Sequence, residues 1–172
     1  EKKIMDQNNL LPIFLKVNNQ PCLIVGGGKI AYQKIKQLIV CRADITVVSK
    51  EYINKIEQLY KNHKIKLIQS SYDKKYINGY KLIISATSDN KVNKQVYVDA
   101  EKLGIPVNIV DEPKLCSYYF GSVYSKGNFK VAVSTNGESP SAGKQVRDLI
   151  AKSVPILTFS NVLPITSIDG LA

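Results

Sequence analysis

Two groups of residues in this chain have types and spacing suited to chemistry. The first is Val25-Gly26-Gly27-Gly28, reached by the short apolar run Pro21 to Val25. Apolar positions then recur at Ala31, Ile35, Leu38 and Ile39, the spacing of one helix face. Strand, glycine turn and helix is the layout of a dinucleotide-binding first turn. Gly26 would permit the tight turn, and Gly28 would let the backbone approach a pyrophosphate. Ala31 supplies the small residue needed for close helix–strand packing. The N-terminus of the helix would offer unpaired N–H groups to the anion. The bland reading of the same residues is a strand-to-helix turn with no ligand.

The second group is Asp111 with the small polar residues Ser85, Thr87, Ser88 and Asp89. Asp111 follows a predicted strand, Pro106 to Val110, where ligands gather in an open parallel sheet. A carboxylate there could serve as a general base beside a cofactor, or simply be a loop aspartate before Pro113. Small residues around Thr87 would allow a nicotinamide ribose to approach. At the end of the second strand, where the adenosine ribose usually lies and an acidic residue is often found, stand Val48 and Ser49. Lys50 and Glu51 come just after, which leaves the choice between NAD and NADP open.

Other candidates carry less. His63 is the only histidine, in a polar Lys-Asn-His-Lys turn, and reads as a solvated loop residue. Cys22, Cys41 and Cys116 lack metal-type spacing; the first two read as buried small hydrophobes, and no metal site is expected. Ser139 has no nucleophile elbow and no histidine partner, so it is either a helix N-cap or a hydroxyl facing a polar ligand.

The elements that must position these groups follow from periodicity. Leu11 to Val17 reads as a strand forming an edge hairpin with the first central strand. Further strands are expected at Ile45 to Val48, Ile65 to Ser70, Leu82 to Thr87 and Pro106 to Val110. Helices are expected at Glu51 to Lys61 and from an Asp89 cap to Gly104. Alternation over residues 21–111 implies an α/β fold, a Rossmann-like doubly wound parallel sheet. Beyond Pro113 the pattern changes to two β runs, Ser117 to Tyr124 and Phe129 to Thr135, then a helix from about Ser139. This suggests a nucleotide domain at 1–113, a hairpin-plus-helix region at 114–153 that is either a dimerisation arm or a lid, and a short tail at 154–172.

The net charge is +10, and 22 of the 24 basic residues are lysine. With Arg so scarce and no aromatic-interleaved basic patch, nucleic-acid binding is not expected; an acidic small substrate would gain from the field by steering. No apolar run approaches a membrane span of about 18 residues, and the polar start has no signal-peptide core. A reducing cytoplasm is the expected compartment.

Together these residues resemble the precorrin-2 dehydrogenase family, the siroheme-synthase N-terminal module. The resemblance rests on Leu11-Pro12-Ile13-Phe14, Val25-Gly26-Gly27-Gly28, Ala86-Thr87-Ser88-Asp89 with Asn93, Asn108-Ile109-Val110-Asp111, and Val131 to Pro140. It implies NAD-dependent oxidation of precorrin-2 to sirohydrochlorin for siroheme or cobalamin synthesis, and in some members insertion of Fe(II) or Co(II). It implies that Asp111 is the essential aspartate and that Gly26, Gly27, Gly28, Lys29 and Ile30 hold NAD, with Ser49, Lys50, Glu51 and Thr87 nearby. Asn108 and Ser139 would meet substrate, and residues 115–150 would build a homodimer. The family usually continues into a helical C-terminal region, whereas residues 154–172 contain two prolines and no helical stripe. Two other functions fit parts of the pattern: a non-catalytic NAD(H)-sensing module, and a chelatase or tetrapyrrole carrier without redox activity.

Overall fold

The computed structural model describes residues 10–153. Two compact units divide the described residues, with the boundary between Tyr119 and Phe120.

The first unit is built on a parallel sheet of β1 (Pro21–Val25), β2 (Asp44–Ser49), β3 (Lys66–Gln69), β4 (Leu82–Ser85) and β5 (Val107–Ile109), in the order β3-β2-β1-β4-β5. The helices α1 (Lys29–Val40), α2 (Asn54–Lys61) and α3 (Asn90–Lys102) supply the crossovers. Right-handed connections place α1 and α2 on one face and α3 on the other. β1 and β4 are buried on both faces, as their unbroken apolar runs predict. Leu23 and Val25 pack in a cluster with Val96 and Ala100 of α3 and Ile83, Val107 and Ile109. The alternate residues Cys22 and Ile24, equally buried, serve the opposite face. The expected Rossmann-like doubly wound sheet is therefore present.

The strand expected at Leu11 to Val17 does not form; this segment joins no ladder. The reason is topological. β1 is hydrogen-bonded to β2 on one side and β4 on the other, so no edge is left for a hairpin partner. Val17 is buried, but Leu11, Ile13 and Phe14 are exposed. Asp89 caps α3 as expected, accepting from the N–H groups of Lys91 and Val92, and Gly104 ends the helix region with a φ of +63°. α2 is shorter than expected, because Lys50 to Ile53 form a loop that folds over the glycine turn.

Ser117 to Tyr119, expected to begin a hairpin strand, instead close the free edge of β5. The Ser117 N–H donates to the Val107 carbonyl at 2.9 Å, and the Val107 N–H donates to Ser117 Oγ at 2.8 Å. The Tyr118 hydroxyl donates to the Ile83 carbonyl at 3.1 Å. An edge strand closed this way presents no open template for foreign pairing.

The second unit contains the antiparallel hairpin β6 (Ser122–Lys126) and β7 (Phe129–Val133), turned at Gly127-Asn128, and helix α4 (Pro140–Ser153). α4 approaches the hairpin through Gly143, where a side chain would meet Ser122 Oγ at 3.2 Å. The tail expected at 154–172 lies outside the described residues. Among those described, no helix is long and apolar enough to cross a membrane.

Candidate cofactor and proton-transfer site

Three loops leave the carboxyl ends of adjacent strands: the glycine turn after β1, residues 86–89 after β4, and residues 110–115 after β5. The order in which the chain adds strands reverses between β1 and β4, the place where such folds bind ligands.

The three glycines have different reasons to be glycine. Gly26 has a φ of +120°, and a Cβ there would lie 2.8 Å from the Ala86 carbonyl carbon. Gly27 is closed by the loop after β2; its Cβ would lie 2.8 Å from both Ser49 Oγ and Tyr52 Cα. Gly28 meets nothing within 4 Å and is exposed. Its missing side chain therefore leaves an open cradle at the start of α1. No side chain caps that helix, and no acidic residue occupies its first turn. The first helical bond runs from Tyr32 N–H to the Gly28 carbonyl, so the amides of Lys29, Ile30 and Ala31 precede the ladder. An uncapped helix start facing open space suits a pyrophosphate by charge and by shape.

The loop after β4 is fixed from beneath. Buried Ser85 donates to Asn93 Oδ1 at 2.7 Å, and Thr87 Oγ1 donates to the same oxygen at 2.8 Å. Asn93 Nδ2 donates to the Thr87 carbonyl at 3.1 Å. Thr87 thus has its hydroxyl turned to the protein. Ser49 is likewise engaged, donating to the Glu51 carbonyl at 2.6 Å, whereas the side chains of Lys50 and Glu51 are exposed.

Asp111 is exposed and has a φ of +63°, a left-handed backbone uncommon for a residue with a side chain and most accessible to Asn and Asp. Such conformations cluster where a side chain must be aimed. Two residues without a role in the sequence pattern interact with this turn, one electrostatically and one by hydrogen bonds. Lys34 of α1 is half-buried, while the other lysines among the described residues are exposed. Burial lowers its pKa, opposed by the negative fields of Cys116 and Asp111. The available signal was its i+3 spacing from buried Ala31. The second is Cys116, whose thiol contacts Asn108, Ile109 and Glu112.

Asn108 is buried, and its Nδ2 donates to the Tyr118 carbonyl at 2.9 Å. Ser139 belongs to the other unit. There its Oγ accepts from Ala142 N–H at 3.3 Å, the N-cap option of the two its sequence left open. Cys22 is fully buried and its thiol is pushed up to about 11, chiefly by burial. Cys41, expected to be buried, is only half so, because it ends α1 rather than lying within it. His63 is exposed and borders a surface depression of 490 Å³ at the amino-terminal ends of β2 and β3, the end opposite the glycine turn.

Sheet, glycine turn and uncapped helix define a dinucleotide-binding protein. The family described as "Putative NAD(P)-binding" matches residues 13–122, and the chain belongs to it. It is 37% identical over 147 residues to the siroheme synthase of Psychrobacter sp. (strain PRwf-1), a match covering 86% of this chain and 30% of the relative. It is 40% identical over 145 residues to the siroheme synthase of Methylococcus capsulatus, covering 84% and 31%. The chain thus spans about a third of the length of these curated relatives. The solved structure of "SirC, precorrin-2 dehydrogenase" superposes with a TM-score of 0.72 at 24% identity, over 84% of this chain and 71% of that one, and shares the fold. The resemblance read from the sequence holds at the level of family.

Proposed function

We propose that this chain oxidises precorrin-2 to sirohydrochlorin with NAD, using Asp111 as the proton acceptor. The observation that carries the reading is the placement, on one edge of one sheet, of an uncapped anion-receiving turn and an exposed aspartate held in a left-handed turn. The similarity to siroheme synthases supports it. Bound at Gly26 to Ile30, with Ser49, Lys50, Glu51 and Thr87 at its borders, NAD would supply the hydride acceptor. Oxidation removes a hydride and a proton from the tetrapyrrole. The Asp111 carboxylate takes the proton, and its turn holds the acceptor oxygen in place while it does so. Lys34, coupled electrostatically to Asp111, adds a cation suited to a carboxylate of the substrate. The wider excess of lysine raises encounter rates with a polyanion.

Insertion of Fe(II) or Co(II) into the product would release pyrrole protons to the same carboxylate and requires no resident metal ligand set. Homodimer formation through residues 114–153 is supported by the second unit itself. Val123, Val146 and Leu149 are large apolar side chains exposed on it, which a second copy would cover. Asn108 completes the proposed substrate contacts, and the cytoplasm is the proposed compartment. An anaerobic precorrin-2 assay with and without NAD, followed by added metal, tests these readings. NAD-dependent appearance of sirohydrochlorin supports the dehydrogenase; tight NAD binding without turnover favours a sensing module; metal insertion without redox activity favours a chelatase.

A further inference from the structure

The outward edge of β5 is completed by side chains rather than by a strand. Val107 has both its outward groups matched by Ser117, and Ile109, the next outward-facing residue, has both of its own matched by Cys116. The Ile109 N–H donates to Cys116 Sγ at 3.3 Å, and the thiol lies 3.1 Å from the Ile109 carbonyl as a donor. Asn108 Nδ2 approaches the sulfur at 3.4 Å, and the Glu112 carbonyl lies at 3.4 Å from it. These contacts reach both sides of Asp111, from the end of β5 to the residue that follows it.

We propose that Cys116 is a positioning residue for Asp111: its thiol clamps Ile109 to Glu112 and so fixes the left-handed turn that aims the carboxylate. This rests on the reading of Asp111 as the proton acceptor. The geometry asks for a protonated thiol, since a single S–H must face two carbonyls. Burial agrees, pushing the pKa of Cys116 up against the lowering effects of the Ile109 amide and Lys34. The other bonds of this loop anchor its two ends: the Val110 N–H donates to the Ser85 carbonyl at 2.9 Å, the Leu115 N–H to the Glu112 carbonyl at 2.9 Å, and the Cys116 N–H and Tyr119 hydroxyl to the Pro113 carbonyl, each at 3.1 Å. Across Asp111 itself the one backbone bond is the long Glu112 N–H to Ile109 carbonyl contact at 3.3 Å, which the thiol reinforces. The glycine turn lies after β1, two strands away, so the clamp acts on the proton acceptor rather than on the cofactor cradle.

The test compares the full chain with Cys116→Ala and Cys116→Ser by three readouts: NAD affinity, kcat and KM for precorrin-2 under anaerobic conditions, and amide hydrogen exchange over residues 109–116. Cys116→Ala should keep NAD affinity within about twofold and lower kcat by about tenfold or more with little change in KM. It should also exchange faster across 109–115. Cys116→Ser, whose hydroxyl has one donor and can accept, should recover part of both losses. Wild-type kcat and wild-type exchange in Cys116→Ala would overturn the proposal, as would a parallel collapse of NAD affinity. If the unaltered chain does not oxidise precorrin-2, the proposed function fails by itself. Exchange then decides the clamp: faster in Ala and partly restored in Ser upholds it, unchanged in Ala overturns it. Should the Ala variant not fold, exchange in the Ser variant decides, with intermediate protection expected and native protection contrary.

Discussion

Gly26 and Ala86 pass so closely that a Cβ on the glycine would lie 2.8 Å from the alanine's carbonyl carbon. The contact joins the turn after β1 to the loop after β4, the two walls of the proposed cofactor cleft. Gly26→Ala adds a backbone collision to a φ of +120°, a region that side chains rarely adopt. It should destabilise the fold by at least about 2 kcal/mol, seen as a fall in Tm of about 4 °C or more. An unchanged Tm would mean the two loops can separate freely.

Gly28→Ala should behave in the opposite way. Its Cβ meets nothing within 4 Å, and its φ of −86° is ordinary for any residue. The Tm should therefore hold, while a methyl group enters the space assigned to the pyrophosphate. NAD affinity should fall about tenfold, equivalent to about 1.4 kcal/mol. Calorimetric titration of the two variants side by side separates the glycine that makes the turn from the one that admits the ligand.

Asn93→Ala removes the shared acceptor of Ser85 and Thr87 and leaves the fully buried Ser85 hydroxyl without it. The expected loss is about 1–3 kcal/mol. Because the same amide holds the Thr87 carbonyl at the cleft, NAD affinity should weaken as well. Denaturant unfolding and NAD titration check both parts.

Lys34→Met tests the half-buried cation while keeping an unbranched side chain. Burial dominates the shift of Lys34, so its folded pKa lies below its unfolded value and the charged form is disfavoured by folding. The unfolded chain then binds more protons at high pH, and wild-type stability from this group rises as pH increases through the folded pKa. At neutral pH the charge is a cost, and Lys34→Met should have an equal or higher Tm. That difference should shrink as pH rises through the folded value toward the unfolded one. KM for the acidic substrate should rise. A variant less stable at neutral pH, with unchanged KM, would remove Lys34 from the site.

Much of the nucleotide unit is legible because β1 and β4 are apolar runs flanked by glycine, polar turns and helical stripes. Gly26 is legible because few residue types adopt its backbone geometry, Gly28 because the helix start must stay open to a ligand, and Ala31 because a small residue is needed where α1 is buried. Leu11 to Val17 misleads because its composition suits a strand, whereas strand formation depends on a free neighbour that β1 does not have. Ser117 to Tyr119 mislead for a related reason: these residues serve an edge without forming a strand. Lys34 and Cys116 were hidden because local pattern treats a helical lysine as solvated and a lone cysteine as filler. Lys34 is coupled electrostatically to Asp111 and Cys116, some eighty residues later in the chain, and Cys116 acts through the bonds of its sulfur to Asn108, Ile109 and Glu112.

The most direct test is NAD-dependent sirohydrochlorin formation by Asp111→Asn beside the unaltered chain, under anaerobic conditions. Asn keeps the side-chain shape and tolerates the left-handed backbone, so folding and NAD affinity should be retained. Loss of a general base should lower kcat by about 100-fold or more. Turnover at the unaltered rate, with NAD still required, would contradict the assignment of Asp111 as the proton acceptor.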